Sequence, residues 1–373
     1  MNRFVTQRPG QSVAAVWAIA TTLFIIANRA WEVPGAVILI WVLASIALLV
    51  VMLSPDGRRF LMRRFTSAMV TLWLLATIVF LIVNVLPGDI GRKILGPFAP
   101  KEDVLAFNKR LGTDRSVLYQ YVTSIRRVFT LDFGTSYQSG ADVTDVIFPA
   151  LFRSGKLALL AFVITIPISI AAGIYAARRQ DKLADRAIVN VGLASSSIPE
   201  FVTAAVLMSI FCVNWKLGKV FANPPAGTSV IGQLQYLLTP ALAMVVAYFG
   251  YLARMTRAGV ITALQSDYAR TATMKGMSKG DVMRKHILRN ALAPTITVIS
   301  VQIGYLFGGI IGVEKVFNYA GLGSTMLIAV GAKDIPVLQG AVLLVGMIYM
   351  LSTLGADMLI AYLNPRVRLE TKR

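Results

Sequence analysis

The chain has 373 residues, of which 56% are hydrophobic and 15% charged, an apolar excess that excludes a purely soluble protein. Its 37 lysines and arginines outnumber 18 aspartates and glutamates, giving a net charge of +19, which in a soluble protein would indicate a nucleic-acid partner. The single cysteine, Cys212, excludes an intramolecular disulfide.

Apolar segments dominate the chain and approach the length of about 20 residues that a helix needs to cross a bilayer. They span residues 13–30, 34–53, 65–86, 157–177, 187–213, 235–253, 294–313 and 337–363. The sequence therefore predicts an all-α polytopic membrane protein.

Lysine and arginine are concentrated at both termini and in alternate connections, around residues 58–64, 178–186 and 254–289. Because short cytoplasmic loops of membrane proteins are rich in basic residues, this distribution predicts that both termini are cytoplasmic. We therefore attribute the net charge to the cytoplasmic segments of a membrane protein, and we expect no nucleic-acid partner.

The same pattern divides the chain into parts. We predict an N-terminal two-helix extension (1–59), a first core transmembrane helix (60–86), an extracytoplasmic insert (87–156), a transmembrane core (157–365) that includes the cytoplasmic loop 254–293, and a cytoplasmic tail (366–373).

The connection before the seventh apolar segment carries the signals of two short helices. Ser266 or Asp267 is suited to cap the first, and Gly276 can adopt the left-handed conformation that ends it. Ser278 followed three residues later by Asp281 resembles a capping box for the second. The pattern predicts a compact helix–turn–helix.

We call residues 266–294 the basic loop. In its second helix, Val282 and Ile287 are expected on one side, with Lys279, Arg284 and Lys285 elsewhere. Pro294 fits the first turn of the next membrane helix. Composition alone favours a simple connector that lies on anionic lipid headgroups.

The individual residues indicate more. The basic loop resembles the cytoplasmic loop, often called the EAA loop, of permease subunits in bacterial ABC importers, and is most similar to that of the dipeptide/oligopeptide/nickel family. The matching residues are Asp267, Tyr268, Arg270, Thr271, Ala272, Lys275, Gly276, Ser278, Arg289, Asn290, Ala291, Leu292 and Pro294.

Further matches follow in order and extend the resemblance over about residues 60–370. Ala320 and Asn364 depart from it, standing where the family usually has Pro and Asp. The matches are 86–89, Leu111, Gly112, 119–121, 132–134, Ser136, 197–199, Phe201, Glu314, Val316, Phe317, 321–323, Asp334, Pro336, Gln339, Gly340 and 365–368.

The resemblance implies a six-helix ABC importer permease core, here preceded by two extra transmembrane helices, in the bacterial inner membrane. It implies a second homologous permease subunit in a heterodimer, two ATP-binding subunits and an extracytoplasmic solute-binding protein. Import of peptides, nickel chelates or related small solutes would proceed by alternating access. We expect this chain to bind no cofactor, since its partners use the ATP.

The resemblance also implies that the basic loop couples the chain to an ATPase subunit, with Gly276 as its tight turn. Packing would come from Tyr268, Ala272, Met277 and Val282, and Lys275, Arg284 and Lys285 would be rim charges. The implied coupling residues are Tyr268, Arg270, Thr271, Ala272, Lys275, Gly276, Met277, Ser278 and Arg284.

The sequence carries no phosphate-binding loop of its own. The pairs at 155–156 and 218–219 are Gly-Lys but lack the upstream glycine that the motif requires. We therefore expect a transporter subunit rather than an enzyme. His286 is expected to have a surface role and Cys212 to be a packing residue.

Glu200 follows Pro199 inside the fifth apolar segment. An ionisable group there is costly and is a candidate for the transport pathway. The alternative is a structural carboxylate at a helix kink, paired with Ser195, Ser196 or a neighbour. Asp357, in the last segment, is expected to be structural.

Gly304, Gly308 and Gly312 recur every four residues in the seventh segment, a spacing that lets helices approach closely. The partner helix could belong to this chain or to a second permease.

Two other function classes compete with an importer subunit. An ion-coupled secondary transporter would favour more charged residues within the membrane, and a membrane-anchored structural or sensor protein would be built around the insert. Neither gives a reason for the basic loop.

Overall fold

The computed structural model describes residues 55–363, apart from 86–89, 97, 113, 131 and 226. The predicted segments 13–30 and 34–53, and with them most of the N-terminal extension, lie outside the described residues, as does the predicted tail.

Within that range the chain is helical, with one isolated antiparallel bridge between Thr135 and Asp142. The helices are α1 (Pro55–Val85), α2 (Ile90–Leu95), α3 (Lys101–Leu111), α4 (Val117–Thr130), α5 (Val143–Arg178), α6 (Leu183–Ser197), α7 (Glu200–Leu207), α8 (Val230–Leu264), α9 (Asp267–Met274), α10 (Lys279–Val282), α11 (Leu288–Ala291), α12 (Ala293–Val316), α13 (Leu322–Ala332) and α14 (Ile335–Leu363). Two π-helical stretches, Met208–Asn214 and Met283–Ile287, continue α7 and α10.

Three helical stretches of the described chain are long and apolar enough to cross a membrane: Val143–Arg178, Ile231–Leu264 and Ile335–Asp357. Two bent pairs bring the number to 5 if each is one span. They are Leu183–Ser197 with Glu200–Asn214, bent by 99°, and Ala293–Tyr305 with Ile310–Val316, bent by 51°. The apolar part of α1, Met69–Ile82, is shorter.

Helix α5 is longer than the apolar segment that predicts it. It begins at Val143, inside the range assigned to the insert. The apolar pattern misses this first part of the helix because Asp145, Pro149 and Arg153 lower its mean hydropathy, although its other face is apolar. Ile147 on that face is fully buried.

Helix α8 lies at the centre and packs against α5, α6, α7 and α12. Its closest approach is to α6, where Gly192 and Gly250 meet. A Cβ added to Gly250 would lie 1.8 Å from the Gly192 carbonyl oxygen. The two backbones are therefore in direct contact, as small residues allow in membrane helices.

Three hydrophobic clusters hold the helices together. The first joins α5, α7, α8 and α12, and includes the buried Cys212, as expected of a packing residue. The second joins α1, α5, α13 and α14. The third lies at the C-terminal ends of α5 and α8 and extends beneath the basic loop.

Two buried carboxylates, those of Glu314 and Asp334, stabilise the opposite end of the bundle, where α5 begins. Glu314 accepts hydrogen bonds from the Ser154 hydroxyl and from the Ser324 amide, at 2.8 Å. Asp334 accepts one from the Ser136 hydroxyl and one from the Tyr137 amide, at 3.1 Å. The sequence shows these acids only as positions that match the family; in the fold they join segments far apart in the chain.

Ala320 shows how one departure from the family pattern is accommodated. Its amide donates to Asn223 Oδ1 at 3.5 Å, and its carbonyl accepts from Arg153 Nη1 at 2.9 Å. A proline at this position could not make the first bond.

Candidate functional site

The first helix of the basic loop ends as predicted. Gly276 has φ +79°, the left-handed conformation that favours glycine. The Gly276 amide donates to the Thr273 carbonyl at 3.0 Å and the Met277 amide to the Ala272 carbonyl at 3.3 Å, the bond pattern of a Schellman cap. The chain reverses here because these bonds satisfy the last carbonyls of α9.

The start of that helix differs from the prediction. Ser266 occupies the N-cap position, but its side chain makes no cap hydrogen bond. Its hydroxyl instead donates to the Ala263 carbonyl at 2.6 Å, in the last turn of α8. The serine therefore ties the loop to the membrane helix rather than capping α9.

The second helix begins with the predicted cap. Ser278 Oγ accepts from the Asp281 amide at 3.1 Å and donates to Asp281 Oδ2 at 2.7 Å. The pKa of the Asp281 carboxyl is held below its usual value by the Ser278 hydroxyl and by nearby Lys285, whose Nζ lies 3.9 Å away. Both interactions favour the charged carboxylate at neutral pH.

One face of the helix pair is buried in the chain itself. Six loop residues join Ala177, Val260 and Ala263 in the third cluster, namely Ala269, Ala272, Val282, Met283, Ile287 and Ala291. The expected orientation of Val282 and Ile287 is confirmed. Tyr268 and Met277 are half-buried at the edge of this cluster. Ala272 and Val282 thus support the loop from within.

The other face is exposed and carries the remaining predicted coupling residues, Arg270, Thr271, Lys275, Gly276, Ser278 and Arg284. Met274, which sequence reasoning did not single out, is 75% exposed among them. Arg270 lies one helical turn before Met274, and Lys275 follows it directly, so the exposed face combines one large apolar side chain with basic ones.

The loop is fixed to the bundle by close backbone packing. A Cβ on Gly259 in α8 would lie 2.3 Å from the Ala291 carbonyl oxygen. Next to this contact, the Thr256 and Thr295 hydroxyls are 3.2 Å apart and hydrogen-bonded. Pro294 lies in the first turn of α12, as predicted. The basic loop therefore has little freedom to move independently of α8 and α12.

An ion pair that sequence reasoning missed lies beside this attachment. Arg257 Nε and Nη2 donate to the two carboxylate oxygens of Asp185, at 2.5 and 2.6 Å. The Asp181 amide, in the turn before α6, donates to the same carboxylate at 2.9 Å. The pair joins α6 to α8. Asp185 and Arg257 are distant in sequence. The sequence therefore shows each of them only as a charged residue in a cytoplasmic connection and does not reveal that they pair.

The fifth apolar segment breaks at Pro199, where a kink is predicted. Pro199 is the N-cap of α7, and Glu200 begins that helix. Ser195 and Ser196 both donate to the Gly192 carbonyl, at 3.1 and 2.8 Å. These serines are occupied by their own helix, so the suggested pairing with Glu200 is wrong.

Two of the three spaced glycines pack within the chain. A Cβ on Gly304 would lie 2.3 Å from the Tyr349 ring in α14, and one on Gly312 would lie 2.8 Å from Phe201 Cβ in α7. Gly308 lies in α12, and its surroundings are outside what the structure describes. His286 is half-buried, and no group of three metal-binding side chains is found in the described residues.

Two consecutive regions of this chain match known protein families. Residues 169–369 match the family of binding-protein-dependent transport system inner membrane components, and residues 57–154 match the N-terminal region of such membrane components.

The chain is similar to the glutathione transport system permease protein GsiC of Escherichia coli (strain K12), being 35% identical over 285 residues, 76% of this chain and 90% of that protein. A Brucella abortus (strain 2308) protein, whose name assigns it to a peptide transport system, is 34% identical over 284 residues, again 76% of this chain and 90% of the relative. The crystal structure of an amino acid ABC transporter with histidines is 20% identical to this chain, and the match covers 60% of this chain and 94% of that one with a TM-score of 0.39. The chain belongs to the family of binding-protein-dependent transport system inner membrane components, the permease subunits of ABC importers.

Proposed function

We propose that this chain forms half of a transport pathway that brings a peptide-like solute, such as a short peptide or glutathione, into the cytoplasm. A second homologous permease would form the other half, and an extracytoplasmic binding protein would deliver the solute. The names of the similar proteins support this substrate class. Two separate ATP-binding subunits would supply the energy, and this chain would bind no cofactor.

The basic loop is the proposed contact with one ATPase subunit. The observation that carries the proposal is its two-sided construction. One face is buried in the chain's own core, while the other exposes Met274 with Arg270, Lys275 and Arg284. In this arrangement Met274 would contact an apolar surface of the partner, and the basic residues would orient it.

The loop is built to transmit a rigid-body displacement. It is fixed to α8 by the contact between Gly259 and Ala291 and to α12 by chain continuity. Because the Asp185–Arg257 ion pair joins α6 to α8, α6 would move together with α8. A displacement of the basic loop by a closing ATPase dimer would therefore reach the broken α6–α7 span. This requires the loop and both termini to be cytoplasmic.

Co-expression and purification test the proposal. We expect a stable complex with ATP-binding subunits and a second permease, and ATP-driven uptake in proteoliposomes that depends on the binding protein. Met274→Asp should weaken ATPase binding, whereas Leu327→Asp, an exposed position on α13, should not affect it. A chain that transports solute as a solitary homo-oligomer, or under a sodium or proton gradient without ATP, would contradict the proposal.

A further inference from the structure

The break between α6 and α7 lies inside a pair of helices that together are long enough for one membrane span. Ile198 is extended (φ −94°, ψ 126°), Pro199 follows with ψ 141°, and the helices on either side are bent by 99°. Non-helical backbone at membrane depth occurs where it is buried in protein or lines a water-filled path. Glu200 stands at this break.

Glu200 is half-buried as a residue, and no described residue donates a hydrogen bond to its carboxylate. The serines that precede the break cannot do so, because Ser195, Ser196 and Ser197 donate to carbonyls of their own helix. A carboxylate in an apolar span is costly unless a cationic or hydrogen-bonding partner is present at some stage of function.

Two further polar atoms nearby lack partners within the described part of the chain. The hydroxyls of Thr203 and Tyr248 are buried and make no hydrogen bond. Thr203 follows Glu200 by three residues in α7, which places both on one helix face. Tyr248 lies on α8, packs in the same cluster as Ala204, and is within electrostatic reach of Glu200.

Buried hydroxyls are satisfied in most proteins, so these two, one on the helix of Glu200 and one on the helix packed against it, require an explanation. Together the three groups offer one negative charge and four oxygen atoms that can accept hydrogen bonds. An alkylammonium group offers the complement, one positive charge and three N–H donors.

We propose that Glu200, Thr203 and Tyr248 bind the ammonium group of the transported solute. The inference rests on the proposed function and adds the chemical class that the pathway recognises, a solute with a free amino group. Divalent metal ions fit the site less well, because Ca²⁺ and Mg²⁺ take six or more oxygen ligands, and the described residues contain no group of three acidic or other metal-binding side chains.

Chemical labelling of Glu200 tests the site directly. The assembled transporter is treated with dicyclohexylcarbodiimide, which reacts with carboxyl groups in apolar surroundings, and labelling of Glu200 is followed by mass spectrometry. Trialanine should protect Glu200, whereas N-acetyl-trialanine, which lacks the ammonium group, and sodium chloride should not. Equal protection by both peptides, protection by sodium, or no protection by trialanine at millimolar concentration would overturn the proposal.

Uptake by variants supplies an independent test, with trialanine and glutathione as the probes. Glu200→Gln should lower uptake by about tenfold or more, since a charge-assisted hydrogen bond is lost. Glu200→Asp, which keeps the charge, should restore part of it, and Tyr248→Phe should have a smaller effect. Ser197→Ala is the matched control, because that hydroxyl is already bonded within α6.

The two proposals fail in different ways. If no ATP-binding subunit assembles with the wild-type chain, the proposed function is wrong. If assembly and ATP-driven uptake are normal and Glu200→Gln imports both probes at the wild-type rate, only the ammonium site is wrong.

Discussion

Gly276 provides the sharpest test of how the basic loop is built. Its φ of +79° is unfavourable for every residue with a Cβ, yet an added Cβ would meet no atom of the described residues within 4 Å. The effect of substitution is therefore conformational rather than steric. A residue of L configuration in this region costs about 1–2 kcal/mol, and a β-branched one more, because its side chain is stiff as well. Asn tolerates the region better.

We expect the loss of stability to increase from Gly276→Asn through Gly276→Ala to Gly276→Val. A change of about 1–2 kcal/mol raises the population of locally opened loop by about 5- to 30-fold. Hydrogen exchange at the Gly276 and Met277 amides, which close the cap, should accelerate by this factor. If the loop couples the subunits, substrate-stimulated ATP hydrolysis should be abolished in Gly276→Val, while insertion into the membrane is retained.

Gly280 is the matched control, four residues away in the same loop. It is helical, and among the residues that the structure describes an added Cβ would meet only Ser278 Oγ, at 3.9 Å. Gly280→Ala should therefore be neutral or stabilise α10 by up to about 1 kcal/mol. The same exchange rates and the same coupled hydrolysis in Gly276→Val and Gly280→Ala would contradict a conformational role for Gly276.

Four further predictions concern the supports of the loop and bundle. Arg257→Gln leaves the Asp185 carboxylate without its cation and should destabilise the chain by about 1–3 kcal/mol in denaturant unfolding of the detergent-solubilised protein. Adding Asp185→Asn should recover part of that loss. Gly250→Leu cannot be accommodated against the α6 backbone, so the yield of monodisperse protein in size-exclusion chromatography should fall sharply. Ser278→Ala should cost about 1 kcal/mol of helix stability, seen as faster exchange of the Asp281 amide. Because the folded pKa of Asp281 lies below its unfolded value, the contribution of its charge is present at neutral pH and decreases below about pH 4; amide exchange, corrected for the intrinsic effect of pH, reports this loss.

Each of these has a result that would count against it. Equal and additive losses for Arg257→Gln and Asp185→Asn would show that the two side chains do not interact in the folded protein. Gly355→Leu is the control for Gly250→Leu, because no atom in the described part of the chain lies within 4 Å of a Cβ added there. Similar yields of the two variants would show that the close packing at Gly250 does not limit folding. Unchanged exchange in Ser278→Ala would mean that the cap seen at α10 adds no stability.

Local signals in the basic loop predict much of its structure. The end of α9 at Gly276, the cap at Ser278 and the position of Pro294 are all confirmed, because each depends on neighbours only a few residues away. Ser266 shows the limit of this reasoning. Its hydroxyl could cap α9 or bond to Ala263, and the choice depends on the join with α8.

Pairings between distant residues were not predictable in the same way. Asp185 with Arg257, Glu314 with Ser154 and Asp334 with Ser136 each join different helices or loops. A sequence shows that such residues are polar and lie near apolar segments, but their partners are chosen by how the helices pack.

The sequence by itself determined that this is a helical membrane protein, where its main apolar segments lie, and that it carries the loop of an ABC importer permease. These conclusions follow from composition, hydrophobic length and local motifs, which need no tertiary contact. Only the tertiary structure decided that Ala272 faces inward while Met274 is exposed, that the serines before Pro199 bond within their own helix rather than to Glu200, and that α8 touches α6 through glycine backbones. Packing decides these points because the direction of a side chain and the identity of its partner are properties of the assembled helices.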